Sequence, residues 1–328
     1  MECPICNSKL KLLTGIPRQI EFKKEIYKVY ESYYKCEGCG EEFNDVETGD
    51  KNLIQVYNQY RENHNILYPD EIINLRKKYG LTKVDMSLAL GWGENTYSNY
   101  ERGAIPNESH NSLLRLIDEP KQFLKLVESR NDLFDKNEII KIQEKVETLI
   151  HENKLHDWIQ FVWPQKIKSD TGFVKPNLDK FANMVIYFVI KEKPCKTKLN
   201  KLLFYSDFLH YKNHLKAISG SRYRAISLGP VPTEYDAIYD WMNNNNFIYM
   251  VEEFKDCGVI EIMETNKYFD ESLFVESEIE ILNNVYEKFK DYLINDLKEY
   301  TLEEPAWKEN VINKNIINYQ KWGFEVKG

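Results

Sequence analysis

Apolar positions change their spacing several times along the chain, and each change marks an element. In residues 70–118 the spacing is helical and comes in short blocks. Ile72, Leu75 and Tyr79 lie on one face of a first helix that Gly80 stops. Thr82, with Asp85 three residues on, caps a second helix carrying Val84, Met86, Leu88 and Leu90, and Gly91-Trp92-Gly93 breaks it. A third helix is predicted from about Glu94 to Arg102, closed by Gly103, and a fourth from Ser109 to Asp118. Within residues 119–175, Ile139, Ile142, Val146 and Leu149 form one stripe, which reads as a helical connector.

A new core begins near Asn177, where Leu178, Phe181, Ala182, Val185, Ile186 and Val189 follow the spacing of an amphipathic helix. The next segment, about Lys196–Tyr211, is apolar nearly all round and is therefore predicted to be central and buried. Residues 246–269 are β-branched and aromatic in two runs around Asp256-Cys257-Gly258, a predicted hairpin, and a long amphipathic helix is predicted over about Ser277–Lys298. Near the start, Gln19–Lys24 and Ile26–Tyr34 are β-rich and also predict a hairpin. The fold class is thus mainly α with small β elements, ending in an α+β region. The expected divisions are 1–50, 66–127, a helical connector over 128–176, and 177–328.

Composition narrows the functional classes. The chain has 328 residues with 42% hydrophobic and 29% charged side chains, and no apolar run reaches the roughly 18 residues that span a bilayer. Met1 leads directly into Glu2 and Cys3 without a basic or apolar leader, so the cytoplasm is the expected location and no membrane partner is expected. The net charge of −8 opposes nucleic-acid binding unless basic residues gather locally. Residues 66–118 hold six lysines or arginines against seven acids, a balance of −1 that leaves −7 on the rest. Only the first of these is tolerable against DNA.

Four of the six cysteines form two pairs, Cys3/Cys6 in Cys-Pro-Ile-Cys and Cys36/Cys39 in Cys-Glu-Gly-Cys-Gly. Each pair suits a tight turn that points two thiolates at one ion, so the four are expected to hold one structural Zn2+ per chain. The alternatives are a redox pair and unrelated surface thiols. Four thiolates leave no open coordination position, which argues against a catalytic metal. With few apolar residues nearby, the metal is expected to supply much of the local folding energy. Cys195 and Cys257 have no sequence partner and read as small buried hydrophobes.

Two short helices joined by a glycine-containing turn form the arrangement that sets a helix into a major groove. Asn95, Ser98, Asn99 and Arg102 are the candidate DNA contacts, since Asn can bond adenine in a bidentate way and Arg can reach guanine or phosphate. Lys83 is a candidate phosphate contact, with a solvated lysine as the alternative. Tyr97 and Tyr100 read as packing residues. The stretches Leu81-Thr82 to Leu90-Gly91 and Tyr97-Ser98-Asn99-Tyr100-Glu101-Arg102-Gly103 resemble the Xre-type helix-turn-helix of bacterial repressors. Together with Cys-Pro-x-Cys, Cys-x-x-Cys-Gly and Asn95, over about residues 1–127, they resemble more narrowly the MqsA-type antitoxins. That resemblance implies a longer basic residue where Asn99 stands. Operator DNA is the implied partner, bound by a homodimer.

Farther on, Lys198-Leu199-Asn200-Lys201-Leu202-Leu203-Phe204-Tyr205-Ser206-Asp207, Arg224-Ala225 and Gly229-Pro230-Val231-Pro232 resemble the Panacea (SocA-like, GepA-like) domain, over about residues 177–310. The resemblance implies an antitoxin that binds and neutralises a cognate protein toxin, with 177–328 as the neutralising part. Exposed residues near Tyr223, Arg224, Tyr235 and Tyr239 are the candidate toxin contacts, because tyrosine and arginine commonly supply interface hot spots, with packing around the Gly229-Pro230 turn as the equal alternative for each tyrosine. Where that family has a Ser-His, this chain reads Thr301-Leu302, which speaks against an enzymatic role. His210 and His214 lack the glutamate of a metalloprotease helix, and Lys201, Asp207 and Arg224 read as a structural ion-pair network. No enzyme is expected. A phage-associated transcription regulator and a protease adaptor are the competing functional readings.

Overall fold

The computed structural model describes residues 2–130, 134, 136–152, 163, 165–255 and 258–327. The chain divides into two compact units, one made of residues 1–56 and 159–328 and the other of residues 57–158. The first 56 residues thus share a unit with the C-terminal region.

In the first unit, β1 (Leu10–Phe22) and β2 (Glu25–Cys36) form the hairpin expected near the start, but with longer strands, and β3 (Glu42–Phe43) adds to β2. Lys23 and Lys24 make the turn, both at positive φ. α1 (Val46–Asn63) follows, and two of its amides close the hairpin's ladder. Asn52 bonds the backbone N–H and C=O of Ser32 at 2.9 and 3.0 Å, and Gln55 does the same for Tyr30 at 2.9 and 2.9 Å. Each amide side chain stands in for a peptide of a missing strand, which satisfies groups that burial would otherwise leave unpaired.

The C-terminal part of this unit is built on α8 (Leu178–Glu192) and α9 (Lys196–His214), with Asn177 capping α8 through Oδ1. α9 is the enclosed helix that its all-round apolar pattern predicts: Leu199, Leu202, Leu203, Phe204 and Phe208 are all buried. Around it lie β4 (Tyr223–Ile226), β5 (Gly229–Pro232) and β8 (Ile316–Ile317), in the antiparallel order β5-β4-β8, with α10 (Tyr235–Asn244). A separate hairpin pairs β6 (Tyr249–Lys255) with β7 (Gly258–Glu264), as predicted; Cys257, assigned from sequence to its turn, lies outside the described residues. α14 (Tyr319–Trp322) comes near the end.

The single helix expected over 277–298 is two, α11 (Glu276–Phe289) and α12 (Ile294–Leu302), followed by the short α13 (Pro305–Lys308). The break has a polar cause. The buried Lys198 ammonium donates to the carbonyls of Lys290 and Tyr292, both at 3.1 Å, and a helix running through would have spent those acceptors internally.

The expected ion-pair network is also corrected. Lys201 donates to the Pro230 carbonyl at 3.1 Å, Arg224 is exposed and donates to Lys314 O, and Asp207 is held by hydrogen bonds. The Asp207 carboxylate accepts from Ile218 N, Ser219 N, Ser219 Oγ and Tyr223 Oη at 2.6–2.8 Å. Gly229 is the residue that lets Lys201 fit. Its φ is +106°, and a Cβ there would stand 2.7 Å from Lys201 Cε.

The second unit carries α2 (Pro69–Tyr79), α3 (Lys83–Ala89), α4 (Thr96–Glu101), α5 (Glu108–Leu116), α6 (Pro120–Glu128) and α7 (Lys136–Glu152). The boundary between the units falls within α1. The predicted cap of α3 is present, with Thr82 Oγ1 accepting from Asp85 N at 3.2 Å. Ile142 and Val146 of α7 are buried in the same core as Ile72, Met86, Tyr97 and Phe123. The stripe read as a connector is therefore part of the helical core, because its apolar face needs a partner and finds one here.

His210 provides a test of this packing. It is 5% exposed, with Nδ1 2.6 Å from Lys216 O and Nε2 3.3 Å from Ser277 Oγ, so both ring nitrogens are engaged within the fold. Burial first, then the nearby His214, Lys180 and Lys216 charges, overcome the Lys216 carbonyl and lower its pKa to about 4. The unfolded imidazole titrates near 6.5, so below that value the unfolded state gains a proton that the folded state refuses. His210 stability is fully present above pH 6.5 and is lost as pH falls toward 4. A His210→Gln variant should show a flatter decline between those values in urea unfolding; an unchanged slope would exclude His210 as its source.

Candidate functional site

Two groups of side chains stand out as sites. The first is the cysteine cluster at the open end of the β1–β2 hairpin. Cys3 and Cys6 sit on a turn before β1, and Cys36 and Cys39 on the turn that ends β2. The four sulfurs lie within 4.8 Å of one another, with Cys3–Cys39 at 3.6 Å and Cys6–Cys36 at 3.3 Å. A tetrahedron with metal–sulfur bonds of about 2.3 Å has edges of about 3.8 Å, so the cluster fits a four-thiolate ion with small adjustments.

Local backbone geometry prepares the thiolates. Ile5 N–H donates to Cys3 Sγ at 3.4 Å, and Gly38 N–H and Cys39 N–H donate to Cys36 Sγ at 3.3 and 3.4 Å. Hydrogen bonding from Ser8, more than from the neighbouring cysteines, lowers the Cys6 thiol to about 6, and the Cys39 N–H lowers Cys36. Gly38 is obligatory at this junction, since a Cβ would fall 2.3 Å from Ser8 Oγ and 3.2 Å from Cys6 Sγ. The second turn could not then approach the first. Cys195 is half-buried and forms an isolated bridge to Ile262, away from this cluster.

The second site is the outer side of α4. Tyr97 and Tyr100 are 0% and 9% exposed, and their hydroxyls bond Ile72 O and His110 Nδ1, both at 2.7 Å. Asn95, Asn99, Arg102 and, on α3, Lys83 are exposed, with Ser98 half-buried. Arg102 Nη2 donates to Asn99 Oδ1 at 2.6 Å, and its Nε to Ser98 O at 3.3 Å. Sequence reasoning missed Glu101. This carboxylate is 9% exposed, takes Arg76 at 2.6 Å and Lys83 at 3.4 Å, and so ties α4 to α2 and α3. Lys83 is thus partly engaged within the protein. Arg61 adds a further anchor, donating to the Gly103 carbonyl at the end of α4 at 2.6 Å.

The four residues near the C-terminal sheet do not form one exposed surface. Tyr223 and Tyr239 are both 0% exposed, with Tyr223 on Asp207 and Tyr239 donating to Asn200 Oδ1 at 2.7 Å. The expectation that they are exposed contacts is corrected: their hydroxyls satisfy buried acceptors of α9. Arg224 is exposed and Tyr235 half-buried. Leu302 is half-buried at the end of α12, and the nearby Glu304 is buried, accepting from Tyr205 Oη at 3.0 Å and from Lys327 N at 3.2 Å. Among the described residues no helix is long and apolar enough to cross a membrane.

Comparison with known proteins agrees with this division of sites. Residues 1–148 match the family described as the antitoxin component of bacterial toxin–antitoxin systems, MqsA, and residues 199–308 match the family described as antitoxin SocA-like, Panacea domain. Antitoxin MqsA of Escherichia coli (strain K12) is 32% identical over 130 residues, covering 38% of this chain and 97% of that protein. Both are antitoxin families and not families of enzymes. With these matches over its N-terminal and C-terminal parts, the chain belongs to the MqsA antitoxin family, with a SocA-like Panacea domain as its C-terminal part, and is an antitoxin of a toxin–antitoxin system.

Proposed function

We propose that this antitoxin represses its own operon through α4 and neutralises its cognate toxin by direct contact through its C-terminal domain. The observation that carries the repression half is the two-sided character of α4. Its tyrosines are consumed by the core, while Asn95, Asn99 and Arg102 face solvent on a helix that Glu101 holds in place. Such a helix presents amide and guanidinium groups at the spacing that reads base edges. The chain binds as a homodimer to half-sites about 34 Å or a multiple apart. Asn95→Ala relaxes base preference at a cost of about 1–3 kcal/mol. Arg102→Ala weakens binding and lowers the salt slope where its contact is to phosphate. Titration against the promoter and a scrambled duplex at several salt concentrations checks both, and equal affinity for the two duplexes overturns the assignment.

The ion held by Cys3, Cys6, Cys36 and Cys39 is structural Zn2+, one per chain. The support is the closed four-sulfur arrangement, which suits zinc and leaves no position for a substrate. Native mass spectrometry of protein prepared without chelators should find one zinc. Cys36→Ser should lose it and speed amide exchange in residues 2–10 and 34–42. Protein that is metal-free yet equally protected there would sink the proposal.

The neutralising half rests on the match of residues 199–308 to an antitoxin domain. With Tyr223 and Tyr239 enclosed, the informative positions are the exposed Arg224 and the half-buried Tyr235. Arg224→Ala and Tyr235→Ala are expected to lose growth rescue and co-purification with the toxin while keeping the thermal midpoint. Full rescue by the double variant would move the contact surface elsewhere.

A further inference from the structure

The N-terminal part of the first unit is fastened to a short segment near the C-terminus. The Tyr30 ring stacks on Phe324 at 4.8 Å, and its hydroxyl donates to Lys321 O at 3.0 Å. Gln320 donates to Gln55 Oε1 at 3.3 Å. These contacts land on residues 320–324, in α14 and the turn after it.

The same segment is tied to the C-terminal domain on its other side. Tyr211 Oη donates to Gln320 Oε1 and Lys212 Nζ to Val326 O, both at 2.7 Å. Lys327 N reaches both oxygens of the buried Glu304 at 3.2 Å, and Lys327 O accepts from Tyr300 Oη at 3.2 Å and Lys288 Nζ at 3.3 Å. Tyr319 and Val326 are fully buried. Gly323 lies so close to Tyr211 that a Cβ there would stand 2.5 Å from its ring.

The two sides are unequal. Toward the C-terminal domain the segment is enclosed and bonded to α9, α11, α12 and Glu304. Toward the N-terminal part it offers one ring and two hydrogen bonds. Beside them lies a cavity of about 580 Å3, with Thr14, Ser32 and Lys51 on one wall and Lys212, His214 and Asn284 on the other. Interior-like packing leaves no void of that size, so the joint is looser than the cores it connects. Few contacts and exposed surroundings mark a region that opens at lower free energy than global unfolding. The matches at residues 1–148 and 199–308 both leave out residues 319–327, so neither family accounts for the segment.

We propose that residues 319–327 form a clasp: fixed to α9, it holds the N-terminal part at a joint that opens without unfolding either side, and the C-terminal domain neutralises the toxin fully only when the joint is closed. That dependence rests on the neutralising role proposed above for this domain. Its physical basis is Gln320, 8% exposed, whose amide answers Tyr211 of α9 and Gln55 of α1 at once. Opening the joint leaves the amide half-satisfied and loosens the end of α9.

Amide hydrogen exchange on the full-length, metal-loaded protein, together with growth rescue from the toxic product of the adjoining gene, tests this. Phe324→Ala should speed exchange in residues 26–36 about tenfold, the loss of one stacked aromatic pair, and in residues 319–324 to a lesser degree. Residues 199–208 and the helices of the second unit should exchange as slowly as before. Tyr30→Phe, which keeps the ring and loses the hydroxyl, should give a smaller change in the same segments. Promoter affinity should hold in both variants, while growth rescue by Phe324→Ala should fall. Unchanged exchange in residues 26–36, or an equal rise in residues 199–208, overturns the joint. Full rescue by Phe324→Ala despite faster exchange overturns its link to neutralisation. A native chain that gives no rescue refutes the neutralising role itself, and the exchange result still decides the joint.

Discussion

Enclosing α9 is the constraint on which the larger unit depends. A helix buried on all sides must satisfy every polar group it carries, since an unpaired buried donor or acceptor costs about 1–3 kcal/mol. α9 carries many of them, and nearly every one is answered by a different element. Lys198 takes the carbonyls after α11, Asn200 the Tyr239 hydroxyl on α10, and Lys201 the Pro230 carbonyl on β5. Tyr205 takes Glu304 before α13, Asp207 the Ser219 loop and Tyr223 on β4, and Tyr211 takes Gln320 on α14. Each pair works as an address: hydrophobic burial drives the elements onto the helix, and these bonds select which face and which height each one meets.

The same chain of bonds reaches the N-terminal part. Tyr211 holds Gln320, Gln320 reaches Gln55, and Gln55 closes the backbone of Tyr30 on β2. The hairpin's buried residues Tyr27, Val29 and Tyr33 are few for an independent core. Two supports make up for this, namely docking within the unit at one end and the four thiolates at the other. Four sulfurs gathered within 4.8 Å repel one another once deprotonated, so their closeness makes sense with a cation to neutralise them.

The helix-turn-helix unit follows a different economy. Its core is apolar and aromatic, with Tyr79 stacked on Phe123 at 3.9 Å and Trp92 on His110 at 4.2 Å. One buried carboxylate, Glu101, fixes α4 against α2 and α3. A six-residue helix has little stability of its own, so its orientation comes from this pair and from the tyrosine hydroxyls. The residues left outward include Asn95, Asn99 and Arg102, the DNA contacts proposed above.

Much of this was legible in the order of residues. Period and caps place α2, α3 and α8 because amphipathicity and N-cap chemistry are local properties, and apolar residues on nearly every face mark α9 as central. The two cysteine pairs announce the four-sulfur cluster because each turn is built from adjacent residues. Motif wording leads to both antitoxin families. What only the tertiary structure decided is non-local. Whether α11 and α12 are one helix or two depends on Lys198, about 92 residues away in sequence. Whether Tyr223 and Tyr239 face a toxin or the core depends on acceptors that α9 brings to them. The stripe of α7 looks the same as a free arm or as a core helix, since periodicity shows that a face must be covered and not what covers it. Nor does the sequence reveal that residues 1–56 and 159–328 form one unit, because the bonds that join them link amides and aromatics that are unremarkable until the fold sets them side by side.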